Sequence, residues 1–138
     1  MQKNARAAFV GINRGTTRAH LVRAALESMA YQNADVIGVM QSISNRRVSV
    51  LHADGGGCKN ALLMRLQANL LGCPVEASDE GELSALGAAL MAGISAGVYK
   101  PDMKVPGQKR RFDPDIDEQT RCARMAAWQD AVSRTFSK

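Results

Sequence analysis

A chain of 138 residues suits one ordinary domain rather than two, and 46% hydrophobic with only 4% aromatic residues requires a core of Leu, Val, Ile, Met and Ala. Eighteen basic against thirteen acidic residues leave a net charge of +5. The excess is scattered apart from Arg46-Arg47 and the short cluster Lys109-Arg110-Arg111, too thin a stripe and too poor in aromatics for a nucleic-acid face, so no nucleic-acid partner is expected.

No apolar stretch reaches about 18 residues and no secretory signal opens the sequence, so no membrane partner and a cytoplasmic location are expected. Three cysteines, Cys58, Cys73 and Cys122, lack CxxC spacing. They argue against a disulfide framework or a cysteine zinc site and read as buried, reduced thiols.

In chain order, Ala7 to Ile12 reads as a short strand, and Gly11, Gly15 and Thr16-Thr17 mark a loop ending in an N-cap. A long helix follows from about Leu21, with Val22, Ala25, Leu26, Met29, Val36, Ile37, Met40 and Ile43 at helical period, and ends near Ser44-Asn45. Val48 to Ala53 is β-branched and apolar, suited to a buried strand. It runs into Asp54-Gly55-Gly56-Gly57 and then into a second helix over Lys59 to Leu71, with Leu62, Leu63, Leu66 and Leu70 at helical spacing. Residues without Cβ allow positive φ and let a flat ligand approach the main chain, while a helix start aims unpaired N–H groups at it. The turn therefore has nucleotide-contacting geometry, although a tight connection alone also uses such glycines.

Gly72 is a helix stop, and Pro74 to Ala77 reads as another short strand. A helix-linked strand returns parallel to the first. Glu82 to Val98 is the most helical stretch, and Ala85, Ala89, Gly93 and Gly97 place small residues on one face. That ridge serves either close packing in its own core or a hinge contact between domains. Pro101 to Pro114, rich in Pro, Gly and basic residues, reads as a surface excursion. A last amphipathic helix runs from Glu118 to Phe136, with Cys122, Met125, Val132 and Phe136 on its stripe and Trp128 beside them. Two strands, or three, make a small sheet for so many helices, so the chain is expected to be part of something larger or to self-associate through an open edge.

With the elements placed, the sequence resembles the C-terminal domain of the FGGY family of carbohydrate kinases, and within it the glycerol kinase branch. Ala7-Ala8-Phe9-Val10-Gly11-Ile12, seven intervening residues, and His20-Leu21-Val22-Arg23-Ala24-Ala25-Leu26-Glu27 fit a sequence pattern of the family. Ala24 to Gln32 is similar to the glycerol kinase branch in particular, and Glu82 to Gly93 resembles the family's second connecting helix, which crosses its counterpart at the hinge under the nucleotide cleft. The glycine turn resembles the family's adenosine motif. That resemblance places Gly56 and Asn60 against the adenine of ATP, with Asp54, Gly55 and Gly57 shaping the turn.

The implied fold is α/β: a partial actin-like ATPase, or ribonuclease H-like, lobe in which a short parallel strand pair carries packed helices. Residues 1–138 form one partial domain with a core at 7–98, a linker at 99–116 and a terminal helix at 117–137. The implied activity is transfer of the γ-phosphate of ATP, with Mg2+ in the intact enzyme, to a sugar or glycerol hydroxyl. The family's phosphate loops, sugar-binding residues and catalytic aspartate are not found in this sequence, and Gly15-Thr16-Thr17 falls downstream of the second phosphate loop. No catalytic and no metal residue is therefore assigned. Asp79, Glu80 and Glu82 read as solvated or helix-start carboxylates rather than a base. The isolated chain, fragment or truncated product, is expected to be inactive, the alternative being an interaction or dimerisation module.

Overall fold

A computed structural model describes residues 7–79, 83–100, 102–103 and 107–135. In chain order it comprises α1 (Arg18–Ser44), β1 (Leu51–Ala53), a 3-10 turn (Gly56–Lys59), α2 (Ala61–Leu71), β2 (Val75–Ser78), α3 (Leu83–Ser95), β3 (Lys109–Phe112) and α4 (Glu118–Ser133). The α/β class is as expected: four helices accompany a small mixed sheet of order β1-β2-β3. β1 and β2 are parallel, with Leu51 opposite Val75 and Ala53 opposite Ala77. β3 runs antiparallel to β2, setting Ala77 opposite Arg110 and Glu76 opposite Arg111.

Alternation along the strands separates two faces. Leu51, Ala53, Val75, Ala77 and Phe112 join the core, whereas His52 and Glu76 face the other way and meet at 3.3 Å. α2 lies against the core face and is the most buried helix, with Leu63, Met64, Leu66, Ala68 and Leu70 inside. Asn45, at φ +50, and Gly72, at φ +67, end α1 and α2 in the left-handed region.

α1 departs from the expected apolar stripe. Its buried residues are Ala30 and Ala34, one turn apart, while Val22, Met29, Val36, Met40 and Ile43 are exposed. Small side chains permit close approach to α2, and a buried amide joins the two helices: Gln67 Oε1 accepts from Asn33 Nδ2 at 3.0 Å and Gln67 Nε2 donates to the Ala30 carbonyl at 3.4 Å. α4 docks on the same helix through Trp128. Its ring stacks on Tyr31 with centroids 5.1 Å apart, and its indole N–H donates to Asp35 Oδ2 at 2.7 Å.

Four further expectations change. Ala7 to Ile12 is irregular, with Phe9, Val10 and Ile12 exposed and Gly11 at φ +83, because no described strand lies beside it to complete a ladder. The 101–114 stretch, read as a surface excursion, contains β3. Its basic residues are tolerated on a sheet edge because Lys109 and Arg111 meet Glu76 at 3.4 and 3.5 Å, and Arg111 meets Asp113 at 3.0 Å. The expected strand from Val48 narrows to Leu51–Ala53, since the Val48 N–H donates to Gln41 Oε1 at 2.8 Å rather than to a strand neighbour. Cys58 and Cys73 are buried free thiols as expected, but Cys122 is exposed. Among the described residues no helix is long and apolar enough to cross a membrane. Glu80, Glu82 and Phe136 lie outside the described residues.

Candidate nucleotide-binding turn

β1 ends at Ala53, and the chain reverses through the glycines before α2 begins at Ala61. Gly55 has φ +88 and ψ −177, a conformation essentially confined to glycine. The turn is closed by Cys58 N–H donating to the Gly55 carbonyl and Asn60 N–H donating to the Gly57 carbonyl, both at 3.1 Å. Asp54, Gly56, Gly57 and Lys59 are exposed, Gly55 and Asn60 half-buried, and only Cys58 points into the core.

Gly56 has a different physical status from Gly55. Its φ is not positive, and a Cβ placed there would meet no atom within 4 Å. A Cβ on Gly57 would make only ordinary contact, 3.8 Å from Leu63 Cδ2. Glycine in a helical segment costs roughly 0.5–1 kcal/mol relative to alanine. Among the described residues nothing packs where a Gly56 side chain would lie, so the open main chain there is available to a molecule approaching from outside.

Asn60 caps α2: its Oδ1 accepts from Leu62 N–H at 3.1 Å and Leu63 N–H at 3.2 Å. The sequence reading gave it only a ligand contact, although an Asn immediately before a Leu-rich helical run is itself a capping signal. With the carbonyl oxygen engaged, the amide NH2 is the half left to address a ligand, as a donor. Burial, and then the Asp54 carboxylate, push the Cys58 thiol above its ordinary pKa, against the lowering influence of Arg110, so the thiol is held neutral.

Two arginine contacts escaped the sequence reading. Arg110 on β3 donates from Nη2 to the Cys58 carbonyl at 2.8 Å and from Nε to Asp79 Oδ1 at 2.6 Å. Asp79 is thereby committed to an ion pair. Beside the start of α2, an open groove of about 550 Å³ is lined by Arg18, Ala19, Val22, Arg23 and Leu26 of α1 and by Leu62. Gly15 and Thr16 make a local loop with Asn13, and Thr17 opens α1 with its N–H donating to His20 Nδ1 at 3.2 Å. These residues form the entry to α1. Among the described residues no group of three or more His, Cys, Asp or Glu side chains could hold a metal ion.

The mixed α/β lobe has the fold of sugar kinases of the actin-like ATPase type, the class of the solved structures on which it superposes. The particular assignment follows from residues 1–96, which match the model for the FGGY family of carbohydrate kinases, C-terminal domain: the chain belongs to this family. It is 45% identical over 135 residues to the glycerol kinase of Pseudothermotoga lettingae, and 42% identical over 135 residues to that of Bacillus subtilis. In each case the alignment covers 96% of this chain and 27% of the relative, so the chain spans about a quarter of their length. The crystal structure of Plasmodium falciparum glycerol kinase with ADP superposes with a TM-score of 0.85 at 28% identity, over 98% of this chain and 28% of that one. The xylulose kinase of Rhodospirillum rubrum shares the fold, with a TM-score of 0.74 at 24% identity over 92% of this chain and 27% of that one.

Proposed function

We propose that this chain is the ATP-binding C-terminal portion of a glycerol kinase-like enzyme, in which Gly56 and Asn60 face the adenine and Asp54, Gly55 and Gly57 shape the turn. The observation that carries this reading is Gly56, open to solvent with no positive φ and no neighbour to require a glycine. A flat base can approach main chain that carries no Cβ, and the Asn60 amide supplies a donor beside it. The relatives named glycerol kinase, and a structural neighbour solved with ADP, support the choice of nucleotide and of a polyol or sugar acceptor.

In the intact enzyme the acceptor hydroxyl attacks the γ-phosphorus as the bond to the bridging oxygen of ADP breaks, and the hydroxyl proton passes to a base. We assign that base to none of this chain's residues. Asp79, the described carboxylate weighed for the role, is occupied by Arg110. Mg2+ would accompany the phosphates, and no step is assigned to a metal held by this chain. The isolated 138-residue chain is then a nucleotide binder without kinase activity.

Calorimetry with ADP tests this reading. Saturable binding that is lost in Gly56→Val, whose side chain would occupy the open approach, and weakened in Asn60→Asp, which removes the NH2 donor, supports it. A folded chain that binds no ADP, or a Gly56→Val variant that binds as well as the parent, sinks it. MgATP-dependent glycerol phosphorylation by the purified chain would overturn the claim of inactivity.

One observation favours a second reading, an interaction module that binds no nucleotide: the outer face of α1 exposes Val22, Met29, Val36, Met40 and Ile43, and among the described strands β1 forms an edge of the sheet. Sedimentation equilibrium separates the two. A tight dimer without ADP binding would establish the interaction module.

A further inference from the structure

Arg110 sits 52 residues beyond Cys58 in sequence, yet its guanidinium joins three parts of the molecule. Nη2 holds the carbonyl of Cys58 at 2.8 Å, Nε holds Asp79 at 2.6 Å just past β2, and the carbon of the guanidinium lies 5.8 Å from the centre of the Phe112 ring. The backbone continues the same tie, because Asp79 N–H donates to the Gln108 carbonyl at 3.1 Å and extends the β2–β3 pairing. Cys58 lies in the middle of the Gly56–Lys59 turn. Its carbonyl is therefore a fixed point between the glycines and the Asn60 cap.

We infer that Arg110 is a positioning residue for the nucleotide turn: it clamps the Cys58 carbonyl to the β2–β3 edge through Asp79 and so holds Gly56 and Asn60 in the arrangement that receives the base. This rests on the nucleotide reading of the turn, but the clamp itself has its own readout.

The physical case is one of stiffness. The turn contains two adjacent glycines, Gly56 and Gly57, held within it by two backbone hydrogen bonds and by no side chain of their own, and such a segment samples many conformations unless something outside it fixes it. A lysine could not replace the clamp, since one ammonium on a flexible stem does not present the planar fork that spans a carbonyl and a carboxylate. Ligand affinity falls when ordering of the site has to accompany binding.

Amide hydrogen exchange of the full chain, read residue by residue beside ADP calorimetry, decides the matter. Arg110→Ala and Arg110→Lys are both expected to accelerate exchange at the Cys58 and Asn60 amides by about ten-fold or more, as for loss of a charge-assisted hydrogen bond, while Ala68 and Leu70 in α2 keep the parent rate. ADP affinity should fall by about ten-fold or more in both variants, an ordering effect. Uniform acceleration throughout the chain would mean a general stabilising role and would overturn the inference, as would unchanged exchange at the turn. Should Arg110→Ala fail to fold, Asp79→Asn takes its place: acceleration confined to the turn supports the clamp and its absence refutes it. If the parent chain binds no ADP, the nucleotide reading fails, and exchange at Cys58 and Asn60 still decides whether Arg110 fixes the turn.

Discussion

α2 and α3 are both dominated by apolar residues, yet they have opposite fates. α2 buries seven of its residues between α1 and the sheet, whereas α3, with no charged residue between Leu83 and Ser95, leaves Met91 67% exposed and packs closely on no other described helix or strand. What distinguishes them is the surface each one meets. α2 is followed directly by Gly72 and β2, so its stripe falls on a strand within reach, while α3 has no fully buried residue among those described and is met at Gly93 by the ring of Tyr99, which folds back over it. Apolar content states how much surface a helix has to bury; topology decides whether the chain itself provides the cover.

The largest break in that contrast comes from truncating the two helices. Leu70, 2% exposed, should cost about 2–5 kcal/mol on replacement by alanine, because methyl groups are lost and a cavity is left. Met91→Ala should stay within about 0.5 kcal/mol. Urea melts of the two variants measure the difference. Equal losses would show that α3 is covered in solution by a second copy or another contact. Gln67 is the next step down. Gln67→Ala removes the partner of Asn33 and a donor to Ala30, and a buried polar group left unpaired costs about 1–3 kcal/mol, measured in the same melts.

Much of the α2 side of the comparison was legible in the sequence. The Leu62-Leu63-Leu66-Leu70 spacing, Gly72 and the apolar strand before the glycines are all local signals, and each element they mark is present. Asn60 carried its own signal as a cap. β3 was illegible for a physical reason: Lys-Arg-Arg-Phe has neither the apolar alternation nor the β-branched residues of a strand, and what makes it one is the pair of carboxylates, Glu76 on β2 and Asp79 just past its end. The clamp on Cys58 was hidden with it. Ala7 to Ile12 failed in the opposite sense, having strand-like residues and no described strand beside it. The α1 stripe misled because helical period shows that a helix is amphipathic and not which side its neighbour occupies, which here is the Ala30-Ala34 side.

Gly93 sharpens the contrast within α3 itself. A Cβ there would lie 2.3 Å from Tyr99 Cδ2 and 2.6 Å from Cε2, so Gly93→Ala forces the ring away, and with it the cover that α3 has from its own chain. Alanine also favours the helix by roughly 0.5–1 kcal/mol. The two effects separate in a cycle. Gly93→Ala in a Tyr99→Ala background should be stabilising by about that helix gain, and in the parent background close to neutral or destabilising. Thermal melts of the four proteins read the sign, and a Gly93→Ala variant equally stabilising in both backgrounds would mean that the ring does not pack on the helix in solution.

The smallest effect belongs to α4, the helix that docks through the Trp128–Tyr31 stack, Met125 and hydrogen bonds to Asp35 and has no fully buried residue. Its first turn carries Asp117 as N-cap and Glu118, whose carboxyl is lowered from the ordinary carboxylate range to about 2, first by the side-chain hydrogen bonds from Arg121. The Nε of Arg121 donates to Glu118 Oε2 at 2.7 Å. A carboxyl with a depressed folded-state pKa adds stability that is complete above its unfolded value, near 4.5, and is lost as pH falls toward about 2. Glu118 is at the surface and Arg121 half-buried, and solvent screening at the carboxylate shrinks what such a pair contributes. A carboxyl-carbon NMR titration should give Glu118 a midpoint near 2, returning toward 4.5 in Arg121→Gln. A Glu118 midpoint already near 4.5 in the parent would mean that the pair does not form in solution, leaving the Asp117 cap and the Trp128–Tyr31 stack to hold α4.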